Sequence, residues 1–494
     1  MDVTIRTARP LRWHEELVRR LEAAGHRVAW IAGCPGPALP SAVLLLFEME
    51  GLLYRSRSAR LWGEASPRSG AEPAGSGAPA IRIDLTGQGA ATGADLRVLY
   101  DGTADPNAAV AALVDGRTPW LDVASGDGVL TAGLPASEDP SAISRGLDSV
   151  LARAVDLCAL AVARLAATPP VDPERSRAAG PVPAPASTLR IAAFSLRALR
   201  GKVLDRLRRR VAEGERWRVG VRKLDGPTSL DLGRVPAEGF DWLRDDGARF
   251  YADPVMFQHD GRTWVFVEEF PFATRKGIIS VCEIRADGSL GDIRPVLEEL
   301  HHLSYPHLFR WRGEIWMMPE SSESRDVALY RATDFPFAWR RERALIDGVA
   351  LADATLFRDE ARFWLFAATS DTPGASSWDA LSLFHAADLD RAFVPHPLNP
   401  VLVDVRAARP AGRLIRRDGV VIRTAQDCAG GYGAGISVAE VRRLDLEGYR
   451  QEVVGQLRAP AAWKASGLHT LDVVGSYEAV DALSARVPGP RAAP

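Results

Sequence analysis

Cysteine is scarce in this chain: four in 494 residues, at positions 34, 158, 282 and 428, with no Cys-x-x-Cys spacing. That scatter argues against a zinc site and a disulfide scaffold, and a reducing compartment is the simplest reading. Histidine is also sparse, with nine residues. No pair has metal-ligand spacing, so neither a metal nor a cofactor is expected. No Gly-x-Gly-x-x-Gly follows the first strand, which leaves a dinucleotide site without support. Charge of one sign is missing: 61 Lys and Arg face 63 Asp and Glu. Without a basic field, nucleic acid is not an expected partner. Long apolar runs are missing too. The longest lies near residues 42–47, far short of the roughly 20 residues that span a bilayer. MDVTIRTARPLRWHEEL at the start has no apolar stretch ahead of a small-residue cleavage site. A cytoplasmic protein is expected, in contact with a membrane at most peripherally.

What is present divides into parts, since 494 residues exceed a single core. Residues 1–166 read as a doubly wound, Rossmann-like α/β domain. VTIR is strand-like. LRWHEELVRRLEAAG follows as a helix with Leu17, Leu21 and Ala24 at helical spacing and Gly25 as its stop. HRVAWIAG, SAVLLLF, AIRIDLTG, DLRVLY and PWLDVA are short apolar runs of the type buried in a parallel sheet. A long Ala/Leu-rich helix, about residues 140–166, closes the unit, and residues 63–78 interrupt it as a loop. Residues 167–188 form a Pro/Ala-rich linker and residues 485–494 a disordered tail. Between linker and propeller, residues 189–213 form a basic helix. It reads as a connecting helix packed on the propeller, or as an amphipathic helix on an anionic membrane surface.

Residues 215–484 repeat. MFQHDGRTWVF, LFRWRGEIWMM, LFRDEARFWLF and LIRRDGVVIRT, starting at Met256, Leu308, Leu356 and Leu414, are each a strand, a polar turn and a second strand. A further strand type recurs between them at Ile279, Val327, Leu381 and Ile436. Two interlocking series with a period of about 50 residues predict a β-propeller. WRVGVRKLDG from Trp217 resembles the later strand of a repeat, while GLHTLDVVGSYEAVDA supplies inner strands without outer ones. Joining the ends gives five blades, the fifth split, and removes the exposed edges of an open ring.

Propeller inner strands converge on a central mouth. Candidate site residues therefore precede them: Asp253, Tyr305, His307, Asp353, Arg413 and His469. A second group ends the next strand: Glu268, Glu269, Glu320, Arg423, Gln426 and Asp427. Converging carboxylates suit glycoside chemistry, one protonated as acid and another ionised as base or nucleophile. Asp253, Asp353, Glu320 and Glu269 are the catalytic candidates. Tyr305, His307, Arg423, Gln426, Asp427 and His469 are the candidates for substrate contact. Simpler roles compete: Asp before Pro or Ala is a common turn residue, His301 and His302 fit a surface turn, and Trp264, Trp316 and Trp364 fit blade packing as well as sugar stacking.

Taken together, ADPVMF, HHLSYPHLF, MMPESS, DATLF, AGRLIRRDG, RTAQDCAGGYG and HTLD resemble the propeller domain at the N-terminus of plant glucosamine inositolphosphorylceramide transferase. That domain is similar to the five-bladed propellers of glycoside hydrolase families 43, 32 and 68. The hydrolase resemblance implies Asp253 as base or nucleophile, Asp353 as supporting carboxylate and a Glu as acid. In those hydrolases the acid follows the second Asp, whereas here Glu320 precedes Asp353. The departure shifts the expectation from hydrolysis towards glycosyl transfer in polysaccharide or glycolipid synthesis, on a sugar or nucleotide sugar. A non-catalytic glycan-binding module, a glycoside hydrolase and a protein-binding scaffold are the alternatives. LVRRLEAAGHRVAWIAG loosely resembles a formyltransferase-type domain. Such enzymes need Asn-x-His, which neither His14 nor His26 provides, so that domain reads as degenerate.

Overall fold

The computed structural model describes residues 1–54, 60–65, 81–87, 95–126, 128–166, 186–211, 216–244 and 246–484. Most of the 63–78 loop and the 167–188 linker, and all of the 485–494 tail, lie outside them. Two compact units emerge. One is Met1–Arg210 with Ser370–Ser376 and Leu402–Asp404; the other is Val211–Thr369 with Ser377–Val401 and Val405–Pro494.

In the first unit, strands β1 (Asp2–Thr7), β2 (Arg27–Ile31), β3 (Ile81–Leu85), β4 (Asp95–Tyr100), β5 (Leu121–Ser125) and β6 (Gly128–Gly133) form one sheet ordered β2-β1-β3-β4-β5-β6. The first four run parallel, β5 is antiparallel to β4, and β6 is antiparallel to β5. The sheet is thus mixed, because the Ser125↔Gly128 pair folds β6 straight back on β5. Helices α1 (Arg12–Ala23), α2 (Ser41–Tyr54), α3 (Asn107–Val114), α4 (Ile143–Ala166) and α5 (Thr188–Val211) complete it. SAVLLLF, expected as a strand, opens α2. Its buried residues Val43, Leu46, Phe47 and Glu50 fall at helical rather than alternating spacing. Glu50 accepts the N–H groups of Ile143 and Ser144 at 3.0 and 2.8 Å, which satisfies two free donors at the start of α4. Helix α5 belongs to the first unit. There Arg190 pairs with Asp115, Arg197 donates to the Val114 carbonyl, and Ile191 and Phe194 are buried.

The second unit is a five-bladed propeller. Blade I runs Arg249–His259, Arg262–Pro271, Ile278–Ile284 and Arg294–Leu297 from centre to rim. Blade II is Ser304–Trp311, Glu314–Glu320, Asp326–Asp334 and Ala338–Asp347. Blade III is Leu351–Arg358, Phe363–Thr369, Ala380–Ala386 and Val394–Pro395. Blade IV is Ile415–Arg417, Val420–Asp427, Gly435–Asp445 and Gly448–Leu457. Blade V takes its inner strands, including Leu471–Val474 and Tyr477–Ser484, from the end of the chain. Its outer strands Arg216–Lys223 and Phe240–Trp242 come from the start of the unit. The seam is eight antiparallel pairs long, from Tyr477↔Lys223 to Ser484↔Arg216. Asp260-Gly261, Arg312-Gly313 and Asp418-Gly419 turn the inner hairpins of blades I, II and IV, with positive φ at both positions. That geometry matches the strand twist of a two-residue hairpin.

Trp264, Trp316 and Trp364 are buried in the blades. Packing is therefore their role, and Trp364 also donates its Nε1–H to Asp359 at 2.6 Å. Trp364→Ala is expected to lower stability by about 3–5 kcal/mol in urea denaturation, from lost contacts and the cavity left behind. A loss below about 1 kcal/mol would overturn the packing role.

Candidate functional site

The inner strands of blades I to III start with one backbone device. Asp253, Tyr305 and Asp353 have φ of 51, 42 and 53°. At each of them the pairing to the next strand slips, between Phe266 and Glu268, Ser304 and His307, and Ala352 and Thr355. These are β-bulges, which re-aim a side chain out of the regular pleat. Proline follows in two of them, Pro254 and Pro306, where the missing N–H suits an unpaired bulge position. Left-handed backbone at a non-glycine residue costs about 1–3 kcal/mol. Its recurrence at three equivalent positions marks this layer as a built site.

Around Asp253 the partners come from three places. Thr470 donates its hydroxyl to Oδ1 at 2.9 Å, and the Tyr305 N–H reaches Oδ2 at 3.2 Å. His469 Nε2 lies 3.5 Å from Oδ1. The other face of His469 meets Asp481, whose Oδ2 is 2.6 Å from Nδ1. That contact is off the N–H axis, so it is an ion pair rather than an aligned hydrogen bond. Asp481 also accepts the backbone N–H groups of Asp253, His469 and Thr470. His469 stacks on Trp217, with ring centroids 3.8 Å apart.

A second group forms around Asp353. Arg409 donates to its two oxygens at 2.6 and 3.2 Å, and Gln426 Nε2 donates to Oδ2 at 2.8 Å. The Asp353 N–H donates to Glu320 Oε2 at 2.9 Å, and Ser322 donates to Glu320 Oε1. Arg409 also lies 5.1 Å from the Tyr432 ring centre. Tyr305 forms the floor: its hydroxyl bonds Thr355 at 2.9 Å and accepts the Gly412 N–H at 2.8 Å. Gly412 cannot be replaced cheaply, because a Cβ there would lie 2.1 Å from the Leu471 carbonyl.

The carboxyl groups diverge in acidity. Burial, with the charges of Asp253 and Glu320, raises Glu268 well above the usual carboxylate range. Burial likewise raises Asp253, against the pull of His469. Asp353 is raised well by burial and by Glu320, against Arg409. Burial pushes Glu320 up too, but Arg409 and the hydrogen bonds from Asp353 outweigh it and hold Glu320 low. In His469, burial is outweighed by Asp481 and Asp253, and the imidazolium is favoured. Asp253, His469 and Asp481 also form the one His/acid cluster with ligand atoms close enough for a cation, all within 4.8 Å of one another, among the described residues.

Asp253, Asp353, Glu320, Tyr305, Gln426 and His469 therefore converge. The others do not. Glu269 turns away to pair with Arg249 and accept the Ser280 hydroxyl; its neighbour Glu268 faces the acids, because side chains alternate along the strand. Arg423 is spent on the carbonyls of Ala407 and Ala408 and on Gln451. Asp427 pairs with Arg458. His307 is buried and neutral, lowered to about 3 by burial and by Arg413. Arg413, in turn, is paired with Asp472. Sequence reasoning passed over Arg409 and Tyr432, which lie in no strand of the repeat, and Asp481, which lies within the closing strand Tyr477–Ser484. It also placed His302 on the surface, where its Nε2 lies 3.4 Å from Glu268.

Residues 244–479 match the family model described as glucosamine inositolphosphorylceramide transferase 1, N-terminal. Over these residues the propeller is similar to that domain. The transferase 1 protein of Arabidopsis thaliana is 30% identical over 286 residues, 52% of this chain and 37% of that protein. Its counterpart in Oryza sativa subsp. japonica is 30% identical over 233 residues, 46% of this chain and 31% of that protein. The chain thus spans about a third of the length of the curated relatives it matches. Among solved structures, Zg3597, a family 117 glycoside hydrolase of Zobellia galactanivorans, aligns at 12% identity and TM-score 0.36, over 55% of this chain and 90% of that one. The catalytic domain of Coprinopsis cinerea GH62 alpha-L-arabinofuranosidase aligns at 14% and 0.36, over 55% of this chain and 98% of that one. Scores of this size carry no argument, and the blade count rests on the strand order.

Two outcomes test the electrostatics. Arg409→Met strands two buried acids and is expected to cost about 3–5 kcal/mol in urea denaturation. Adding Asp353→Asn should recover much of that loss, and a loss below about 1 kcal/mol would show the pair to be solvated. His469 is raised above its ordinary 6.5, so its stabilisation is full below pH 6.5 and fades as pH rises through the folded value. The stability gap between wild type and His469→Gln should therefore shrink with rising pH, and a gap that widens contradicts the pairing.

Proposed function

We propose that the propeller mouth is a carbohydrate site of a glycan-synthesising protein, with glycosyl transfer as its reaction. The carrying observation is the opposite displacement of neighbouring carboxyls, Glu268 upward and Glu320 downward. It lies beside the part-exposed rings of Trp217, Trp378 and Tyr432. Acid and base roles separate where environments push such groups apart. In this reading Glu268 keeps a proton for the departing oxygen. Asp253, raised towards the working range, takes one from the attacking hydroxyl. Glu320 supplies negative charge beside the developing oxocarbenium ion. Asp353, held by Arg409 and Gln426, orients sugar hydroxyls.

The family match supports sugar chemistry, yet it covers only the part named N-terminal, and the aligned stretch is 31% of the relative's length. That observation favours a second reading, a glycan-recognition module without turnover. For the first unit, we infer a degenerate Rossmann-like, formyltransferase-type domain, supported by the parallel order β2-β1-β3-β4 and by the lack of Asn-x-His at His14. We also keep peripheral membrane contact through α5 as a proposal, supported by its exposed Leu189, Leu196, Leu199 and Leu204 among basic residues.

A thermal-shift screen against nucleotide sugars, free sugars and oligosaccharides tests the site. A ligand at 100 times its Kd stabilises by about 2.7 kcal/mol. Binding that Asp253→Asn alters, with turnover that Glu268→Gln lowers by about 10²–10⁴-fold, supports transfer. Binding without turnover supports the module, and full turnover in both variants sinks the catalytic assignment.

A further inference from the structure

The first unit carries a second concave feature, independent of the propeller. In its sheet the strand order reverses between β1 and β3, since β1 leads on to β2 on one side and β3 to β4 on the other. In such sheets ligands bind outside the carboxyl ends of the strands at the reversal. A small, solvent-open cleft lies there. Ala8, Arg9, Trp13 and His14, which follow β1, line it with Asp84, Thr86 and Gly87 at the end of β3, and with Tyr100 at the end of β4.

Two side chains in this lining are unsatisfied. The indole N–H groups of Trp13 and Trp62 are buried with no hydrogen-bond partner, in residues 4% and 7% exposed. Indole is a donor only. An orphaned buried donor costs roughly 1–3 kcal/mol, so two in one cleft ask for an acceptor. Trp62 is held there by the chain around it: the N–H of Arg12 donates to the Gly63 carbonyl, that of Trp13 to Leu61, and that of Ala65 to Pro10. The Arg9 guanidinium lies 5.3 Å from the Trp62 ring centre and adds a third donor.

Two other polar groups of the lining are already engaged. His14 Nδ1 accepts the Leu11 N–H at 3.2 Å, and burial lowers the ring to about 3, so it is neutral. Asp84 Oδ1 accepts the Thr86 N–H at 3.0 Å. The Asp84 carboxylate lies in the same lining, which opposes a dianion such as phosphate. Apolar surface from Leu85, Val98, Tyr100, Pro37 and Pro106 walls the rest. The wall is tightly built: a Cβ at Gly36 would fall 2.3 Å from the Thr86 carbonyl, and Gly87 has a φ of +78°.

We propose that this cleft binds a small aromatic monocarboxylate, its carboxylate taking the N–H groups of Trp13 and Trp62 beside Arg9 and its ring lying among Trp62, Tyr100 and the apolar wall. Nothing in this proposal draws on the propeller chemistry. Equilibrium dialysis of the full chain with labelled benzoate tests it, with benzamide as the neutral isostere. One equivalent should bind saturably, below about 1 mM, and benzamide at least about tenfold more weakly. Trp62→Phe and Arg9→Gln keep the ring or the chain length while removing a donor, and each should weaken benzoate at least about tenfold. Circular dichroism verifies their folding, and Trp13→Phe is the further variant should either fail to fold. Absence of saturable benzoate binding overturns the proposal. So does benzamide binding as tightly as benzoate, or unchanged affinity in the folded variants.

Discussion

The propeller depends on one seam, the pairing of Tyr477–Ser484 with Arg216–Lys223. Until that strand is in place, blade V has no middle and the ring no fixed circumference. The same strand carries Asp481, wholly buried, whose carboxylate gathers the backbone N–H groups of Asp253, His469 and Thr470. Ring closure and site assembly are therefore one event. The carboxylate that aligns the start of blade I arrives on the strand that closes blade V. Open edges invite pairing with other chains, and here closing the edge also creates the function-bearing layer.

That layer is electrostatically unbalanced by design of its sequence. Asp253, Glu268, Glu320, Asp353 and Asp481 are collected around one arginine, Arg409, and one histidine, His469. Two cations cannot neutralise five buried acids, and isolated buried charge is too costly to persist. Protons must make up the difference, and Glu268 and Asp353, raised well above the usual carboxylate range, are where they remain. A ligand for such a layer offers hydrogen-bond donors without negative charge. Sugar hydroxyls fit that requirement, whereas a diphosphate would have to stay at the rim.

The repeat made the propeller legible, because blade cores need the same apolar strands joined by a polar turn each time. Asp253, Tyr305 and Asp353 were legible for the complementary reason: they interrupt the repeat at a fixed phase. Glu268 and Glu269 were not separable by the same reasoning. Both end the same strand, and the bulge that slips the register between Phe266 and Glu268 decides which one faces inward. Arg409 and Tyr432 left no periodic trace, since they come from irregular segments flanking blade IV. Arg423 looked free because two of its partners are backbone carbonyls, which no sequence pattern announces. In the first unit, SAVLLLF was ambiguous on its face, as a short apolar run fits a buried strand or a helix. Only its continuation through FEMEGLLY sets the helical period.

The order of acids along the chain then takes on a narrower meaning. In the hydrolase pattern a glutamate follows the second aspartate; here both inward glutamates precede it, one from blade I and one from blade II. Blades converge at the axis, so the chain order of their inner residues does not limit which groups meet. In the proposed site, what the order does change is the blade from which a proton would reach a sugar held beside Asp253 and Asp353. A shared propeller can thus hold the same acids and still favour a different partner for the anomeric carbon, as expected when function resides in the site and not in the fold.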